Sequence, residues 1–222
     1  MFLIFNQNLT YFLAMLFKIK ELLLIIIVLL FMMSCGDNLT KTTKDESATI
    51  TMSYLDGTWL TECRYHSSTS NSSKIEIVFS DSGDNATSTV TYYSGTICNN
   101  RSYLYKEKIR SISLQSKSEL ANGLKVTKYT GVISDVTITP VTSTTATSFN
   151  NNSTCGLSSW SNNTETSIAG RTCGSTTYSS INDGFKSVLQ MNSEKTYIKI
   201  GNQTLDSEGY PTGLYSDKYF KQ

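Results

Sequence analysis

The sequence predicts an all-β domain, an antiparallel up-and-down barrel of about eight strands, preceded by an apolar N-terminal segment. After Cys35 the chain is rich in Ser, Thr, Asn and Tyr and poor in Leu and Ala. Thr, Tyr, Val and Ile favour strands, whereas Ser, Asn and Gly favour turns. Short alternating segments recur at near-regular spacing, and no long segment after Cys35 has helical periodicity. Closing such strands into a barrel would remove exposed sheet edges.

The N-terminal segment is typical of an export signal. Residues 22–33 are an unbroken apolar run of twelve residues, preceded by Lys18 and Lys20. A short basic region, an apolar core and small residues before a cleavage site define such signals. Residues 32–35, Met-Met-Ser-Cys, resemble the processing site of bacterial lipoproteins. The resemblance implies that residues 1–34 are removed and that a fatty acid such as palmitate is attached to Cys35. Met15 is an alternative start.

Two other interpretations of this segment remain open. A membrane-spanning helix needs about 20 apolar residues, more than this run contains. An ordinary cleaved secretory signal would leave Cys35 without a lipid. Under the lipoprotein interpretation the protein is anchored in the cell envelope, and Asp37 at the third mature position, rather than the second, favours the outer membrane. Residues 35–53 are then the lipidated N-terminus and a flexible polar tether, and residues 54–222 are the domain.

The cysteine count supports lipidation. The chain has five cysteines, and lipidation of Cys35 leaves four that can pair fully. Four cysteines allow three pairings, and we favour the two between neighbours in sequence. The predicted disulfide cysteines are Cys63 with Cys98 and Cys155 with Cys173. No Cys-x-x-Cys spacing occurs, and the only histidine is His66, so we expect no zinc or other metal site.

The strands are predicted in order from alternation and turn signals. Residues 74–79 and 87–93 form a hairpin around the turn at 81–85, and Asn122-Gly123 is the strongest hairpin signal in the chain. Residues 142–153 are predicted as a weak strand or a loop, and residues 155–173 as an excursion framed by a disulfide. The remaining strand predictions are residues 59–65, 101–114, 124–141, 187–190, 195–200 and 218–221.

The start of the domain resembles the lipocalins, whose first barrel strand opens with Gly-x-Trp. Gly57 and Trp59 match this motif, and the resemblance implies that Trp59 closes one end of a barrel. Lipocalins also place an arginine from the last strand over this tryptophan, whereas the C-terminal region here has lysines. The chain from about residue 54 onward resembles uncharacterised bacterial lipoproteins with a lipocalin-like barrel; the resemblance rests on Gly57, Thr58, Trp59, Cys63, Cys98, Asn151, Cys155, Gly156, Trp160, Gly170 and Cys173.

Charge and motifs exclude several classes of function. Removing Lys18, Lys20 and Glu21 from 19 basic and 18 acidic residues leaves 17 of each, so the exported part is neutral. We therefore expect no nucleic-acid binding. His66 lies in a polar turn beside serines, and no nucleophile, phosphate-binding or metalloprotease motif occurs. We expect neither an enzyme nor a cofactor.

Two functions remain. The first is a membrane-tethered binding module that holds a small apolar ligand or an envelope protein, with Tyr92, Tyr93, Tyr103 and Tyr105 as candidates to line a binding cup. An equal alternative for these tyrosines is an ordinary strand position with a solvent-facing hydroxyl. The second is a structural or surface-interaction barrel with a filled core, because eight strands enclose a space that side chains can just fill. For Trp59 and Trp160 we favour packing roles over ligand contacts.

Overall fold

Strands dominate the regular structure of residues 47–222, the part of the chain that the computed structural model describes. Within these residues there are two α-helices, α1 (Met52–Leu55) and α2 (Ser143–Asn151). The strands, in chain order, are β1 (Gly57–Leu60), β2 (Arg64–His66), β3 (Asn71–Ser80), β4 (Asn85–Ser94), β5 (Arg101–Glu119), β6 (Lys125–Pro140), β7 (Thr166–Ser167), β8 (Thr172–Cys173), β9 (Thr176–Thr177), β10 (Gly184–Met191), β11 (Tyr197–Ile200) and β12 (Tyr219–Lys221). The all-β prediction is confirmed.

The pairings of the main sheet return to their starting strand. β1 pairs with β12 on one side and with β3 on the other. Between them the order is β12, β11, β10, β6, β5, β4 and β3, and each pair is antiparallel. Eight strands thus follow one another in chain order around a circuit of pairings. The segment between β6 and β10 contains α2 and the short strands β7, β8 and β9.

The first predicted strand is interrupted. β1 pairs with residues 76–79 of β3, and β2 continues the pairing with residues 71–73 after a break. The two longest strands, β5 and β6, are joined at the predicted Asn122-Gly123 turn. Gly123 has φ +83°, which glycine adopts without strain, and its N–H donates to the Leu120 carbonyl at 2.8 Å.

Two groups of buried side chains lie on the face of the strands that we call the inner face. The first core includes Trp59, Phe79, Leu189, Met191 and Ile198, all nearly inaccessible to solvent. The second core includes Ile133, Val136, Ile138, Trp160 and Ile168. The side chains of Ile109 and Phe185 pack against both cores and connect them. Gly131 permits this contact, because a Cβ there would overlap the Phe185 ring.

Residues 142–153, predicted as a weak strand or a loop, contain a helix. Ser, Thr and Asn have modest helix propensity, so the composition argues against helix α2. The Thr142 hydroxyl caps the helix by accepting from the Thr145 N–H at 3.1 Å. Ala146 is buried, and the ring of Phe149 packs edge-on against Trp160. Capping and tertiary contacts therefore favour the helix where propensity does not.

The packed chain begins before Tyr54, the predicted start of the domain. Ile50 and Leu55 belong to the first core, and the Ala48 N–H donates to the Met191 carbonyl at 3.0 Å. The predicted signal of residues 1–34, the lipidated Cys35 and the tether as far as residue 46 lie outside the described residues. Of the helices in residues 47–222, none has the length and apolar character needed to cross a membrane.

Candidate functional site

An aromatic cavity of 370 Å³ lies on the inner face, beside the second core. We call it the tyrosine cavity. Its walls include the side chains of Tyr92, Tyr103, Tyr105 and Tyr178, together with Phe149. All five rings are partly exposed, so the cavity can be reached from solvent. Three of the four tyrosines that the sequence offered as a cup, Tyr92, Tyr103 and Tyr105, are therefore brought together here.

Strand register explains this grouping. Tyr92 on β4 pairs directly with Tyr103 on β5, and their rings stack with centroids 4.5 Å apart. Tyr105 pairs with Val90 on β4 and with Ile138 on β6, which also line the cavity. Alternate residues of a strand face the same side of a sheet, so Tyr103 and Tyr105 share the inner face.

The fourth predicted residue, Tyr93, does not join the cavity. It follows Tyr92 and therefore faces the other side of the sheet, where it is 7% exposed in a groove with Leu104 and Lys106. A shift in register between Tyr92 and Tyr93 re-aligns β4 against β5 at this point. Of two adjacent tyrosines in one strand, the pleat allows only one to reach the cavity.

The segment between β6 and β10 forms the rest of the wall. The disulfide between Cys155 and Cys173 joins two points within this segment, with Cα atoms 4.1 Å apart, and both cysteines line the cavity. This bridge also places Tyr178, whose ring centroid lies 5.4 Å from that of Tyr105. Phe149 from α2 lies 5.6 Å from Tyr103. These two residues were not identified from the sequence, which carries no local signal for their position.

Trp160 anchors this segment and does not line the cavity. It is 3% exposed, and its indole N–H donates to the Thr154 carbonyl at 3.2 Å. The Asn150 side chain accepts from the Trp160 N–H at 2.6 Å and donates to the Trp160 carbonyl at 2.9 Å. The predicted packing role of Trp160 agrees with these contacts.

The phenol groups of the cavity influence one another. Burial raises the pKa values of Tyr92, Tyr103, Tyr105 and Tyr178 above the usual range of tyrosine. Proximity to Tyr178 raises the pKa values of the other three further, because two phenolates in close proximity would repel each other. At neutral pH all four are uncharged hydrogen-bonding groups.

A carboxyl group lies next to Tyr105 on the inner face. Glu107 follows Tyr105 by two residues on β5, and it pairs with Ser88 and Val136 on the flanking strands. Burial raises the pKa of its carboxyl group. Within residues 47–222, no Lys or Arg forms an ion pair with it. Nothing in the sequence distinguished Glu107, because lysines precede and follow it.

The predicted end-closing motif lies in the first core. Trp59 is fully buried, and its indole N–H donates to the Leu55 carbonyl at 2.7 Å. Lys221 of β12 pairs with Trp59 in the sheet, and its ammonium lies 5.2 Å from the ring centroid. Gly57 has φ +112°, and a Cβ there would lie 3.6 Å from the Lys221 side chain. The favoured packing role of Trp59 agrees with this environment.

The other disulfide, Cys63–Cys98, and the only histidine do not line the tyrosine cavity. Cys63 bonds to Cys98, so both disulfides have the pairing that we favoured from the sequence. This bridge ties the break between β1 and β2 to the loop between β4 and β5. His66 Nε2 lies 2.8 Å from the Ser73 hydroxyl in a pair of neighbouring strands. The part of the chain described here has no group of three or more His, Cys, Asp or Glu residues arranged to hold a metal ion.

Three larger depressions have a different chemistry. Their volumes are 630, 610 and 620 Å³, and polar or charged side chains predominate in their walls. The first contains the exposed ion pair of Arg64 with Asp217, at 2.9 Å. The second is a groove on the outer face of β3, β4 and β5, and the third lies against α2. The tyrosine cavity is smaller, but it is the one with an aromatic wall beside a core, as small-molecule sites commonly have.

The chain matches no protein-family model and no curated protein sequence.

Proposed function

We propose that the protein is a lipoprotein of the bacterial cell envelope, anchored in the outer membrane through lipidated Cys35, and that its domain is a lipocalin-like barrel that binds a small apolar ligand. The observation that carries the ligand-binding part is the tyrosine cavity, a partly open aromatic site of 370 Å³ on the inner face. A volume of about 300–1,000 Å³ with a mainly apolar wall suits a small molecule.

The circuit of eight paired strands supports the lipocalin-like interpretation. The eight strands of the circuit follow one another in chain order, as in an up-and-down barrel, although the short strands β2, β7, β8 and β9 intervene in the chain. Trp59 lies in the first strand and is buried in the first core. Lys221, from the last strand, has its ammonium 5.2 Å from the tryptophan ring centroid, and a cation from the last strand near this tryptophan is also a feature of lipocalins, which use arginine. Lysine retains the positive charge, although not the planar guanidinium.

A ligand screen tests the binding function. Thermal unfolding of the full chain in detergent would be followed across a panel of lipids and small metabolites, because a ligand that binds only the folded state raises Tm. We expect at least one compound to raise Tm. The shift should disappear in Tyr103→Ala but persist in Tyr215→Ala, which changes an exposed tyrosine outside the cavity. A panel without any shift would contradict the proposal.

The alternative, a structural or surface-interaction protein with a filled core, is supported by the two core clusters. Trp59, Leu189, Met191 and Ile198 occupy the first core without exposed surface. If this alternative is correct, Tyr103→Ala would lower the free energy of unfolding but change no ligand response. A membrane-extract pull-down would then recover an envelope protein that depends on surface residues and not on the cavity.

Intact-mass analysis tests the anchor separately. The membrane-extracted protein should begin at Cys35, carry fatty acyl groups and contain no free thiol. Cys35→Ser should remain unprocessed and without a lipid. A mature protein that is soluble without detergent and has an unmodified Cys35 would contradict the anchoring proposal, but it would leave the ligand-binding proposal intact.

A further inference from the structure

We propose that the tyrosine cavity binds a small organic cation, a quaternary or alkyl ammonium group, through its aromatic rings and with Glu107 as the counter-charge. This inference rests on the ligand-binding function proposed above and narrows the ligand from any small apolar molecule to a cationic one. Three features of the described residues support it: the arrangement of the rings, the presence of four phenol groups and the position of the carboxyl group.

The rings provide electron-rich surfaces on several sides of one space. Tyr92 and Tyr103 form one stacked pair, and Phe149 meets Tyr103 edge-on at 5.6 Å. Tyr105 and Tyr178 form a second pair of rings in contact, with centroids 5.4 Å apart and planes inclined by 37°. An ammonium group within about 6 Å of such faces is attracted by the ring quadrupoles, and cages of aromatic residues recognise quaternary ammonium ligands in this way.

The four tyrosines, each with a phenol group, line the same cavity. Tyr178 acts electrostatically on Tyr92, Tyr103 and Tyr105, although it comes from a different part of the chain. Uncharged phenols present oxygen lone pairs, and these are favourable neighbours for a positive charge. Strand register fixes the distance between the rings of Tyr92 and Tyr103, and Tyr178 lies near the Cys155–Cys173 bridge. Because these side chains are already held in place, little conformational entropy is lost when a ligand binds.

Glu107 follows the cavity-lining residue Tyr105 on the same face of β5. Along β5 the inner-face residues are Tyr103, Tyr105, Glu107 and Ile109, and Glu107 is about 7 Å further along the strand than Tyr105. Its charge acts on Tyr105, which lines the cavity, and on Tyr129, which belongs to the first core. The carboxyl group therefore lies between the cavity and that core.

The carboxyl group lacks a positive partner within the described chain. A partly buried carboxylate without an ion pair destabilises the folded protein, and a ligand cation that compensates its charge would remove that cost. A neutral apolar ligand would fill the same volume but leave the charge uncompensated. Tyr105 and Tyr129 are the titratable groups that act on or respond to Glu107, and both are uncharged at neutral pH. The charge of the site thus favours a cation over a neutral molecule of equal shape.

The test compares choline with its carbon isostere, the neutral alcohol in which carbon replaces the ammonium nitrogen. Binding to the full chain in detergent would be measured by calorimetry at pH 7. We expect choline to bind about tenfold more tightly than the isostere. Glu107→Gln should remove most of this preference, and Tyr178→Leu should weaken the binding of choline. The control, Glu76→Gln, changes a carboxyl group in the outer-face groove and should leave the preference unchanged.

The outcomes separate this inference from the function on which it rests. Equal affinities for choline and its isostere, or a preference that survives in Glu107→Gln, would overturn the cation proposal while leaving an apolar-ligand site in place. If neither probe binds and no compound of the lipid and metabolite panel raises Tm, both proposals are wrong. Circular dichroism of each variant shows whether it has folded. If Glu107→Gln does not fold, Glu107→Asp, which keeps the charge on a shorter side chain, should retain the preference but with weaker binding.

Discussion

The ammonium group of Lys221 lies 5.2 Å from the ring centroid of Trp59, and the same group donates to the Tyr54 carbonyl at 3.0 Å. Trp59 and Lys221 belong to the first and last strands of the circuit and pair directly in the sheet. One side chain thus ties the last strand both to the first strand and to helix α1. Closure of the circuit at this point depends on a short strand, β12, of three residues.

Removing the charge of Lys221 should destabilise this closure. Lys221→Met retains much of the apolar stem but loses the cation–π contact and the hydrogen bond, so we expect the free energy of unfolding to fall by about 1 kcal/mol. Lys221→Arg keeps the positive charge and should retain most of this stability. Denaturant unfolding monitored by tryptophan fluorescence measures the change. Lys199→Met, on neighbouring β11, serves as the control, and an equal loss in both Met variants would show that the contact contributes nothing specific.

The Cys155–Cys173 bridge should hold the cavity wall in place. The double variant Cys155→Ser with Cys173→Ser removes a bridge across 18 residues, and loss of such a bridge costs about 3 kcal/mol. We expect faster tryptic cleavage after Arg171, which is exposed within the bridged segment. Limited proteolysis with mass spectrometry measures the rate. The matched double variant at Cys63 and Cys98 should leave Arg171 as protected as in the wild type; equal acceleration in both would indicate only general destabilisation.

Glu165 should stabilise the fold at neutral pH but not in acid. Hydrogen bonds from Lys106 and Lys108, at 2.8 and 2.5 Å, lower the pKa of its carboxyl group to about 2. Because the unfolded pKa is about 4.3, the contribution is complete above that value and is lost as the pH falls toward 2. Glu165→Gln should cost at most about 1 kcal/mol at pH 7, since solvent screens the pair. This difference should vanish near pH 2, whereas a difference that persists there would contradict the ion-pair explanation. Glu194→Gln, in an exposed turn, is the control.

The effect of Glu107 on stability should depend on pH in the opposite way to that of Glu165. Burial raises the pKa of its carboxyl group, so the folded state binds the proton more tightly than the unfolded state does. Its ionisation therefore destabilises the fold as the pH rises above the unfolded value of about 4.3. Glu107→Gln should be more stable than the wild type at pH 7, and this gain should shrink at pH 4. Denaturant unfolding at both values measures the difference. A variant less stable than the wild type at pH 7 would show that the carboxylate is compensated within the protein.

Such a gain would also bear on function. A residue that lowers stability and still occupies an inner-face position is typical of a binding site, where function and stability conflict. If Glu107→Gln gains stability and at the same time loses the preference for choline, the two results have one cause, the uncompensated charge. The pair of measurements on a single variant therefore links the energetics of the fold to the proposed ligand.

Local sequence patterns identified most of the strands and the main turn, and the favoured pairing of neighbouring cysteines is confirmed. Alternation at residues 74–79 predicted β3, because a strand with one buried face must alternate. Asn122-Gly123 predicted the turn between β5 and β6, since its backbone conformation suits few other residues. The same reasoning missed α2, whose Ser, Thr and Asn residues form a helix through the Thr142 cap and tertiary packing. It also kept both Tyr92 and Tyr93 as candidates for the cup, because alternation alone does not tell which of two adjacent tyrosines faces inward.

The sequence by itself determined that this is a β protein with sequential hairpins and two disulfides, because strand alternation, turn chemistry and cysteine spacing act over short stretches of chain. Only the tertiary structure decided that Lys221 lies over Trp59 and that Phe149 and Tyr178 complete a cavity with Tyr92, Tyr103 and Tyr105. It also decided that Glu107, two residues beyond Tyr105 on the same face, has no ion pair with a Lys or Arg of residues 47–222. These relationships join residues far apart in the chain. They depend on strand register and on the path of residues 141–183, which no local pattern specifies.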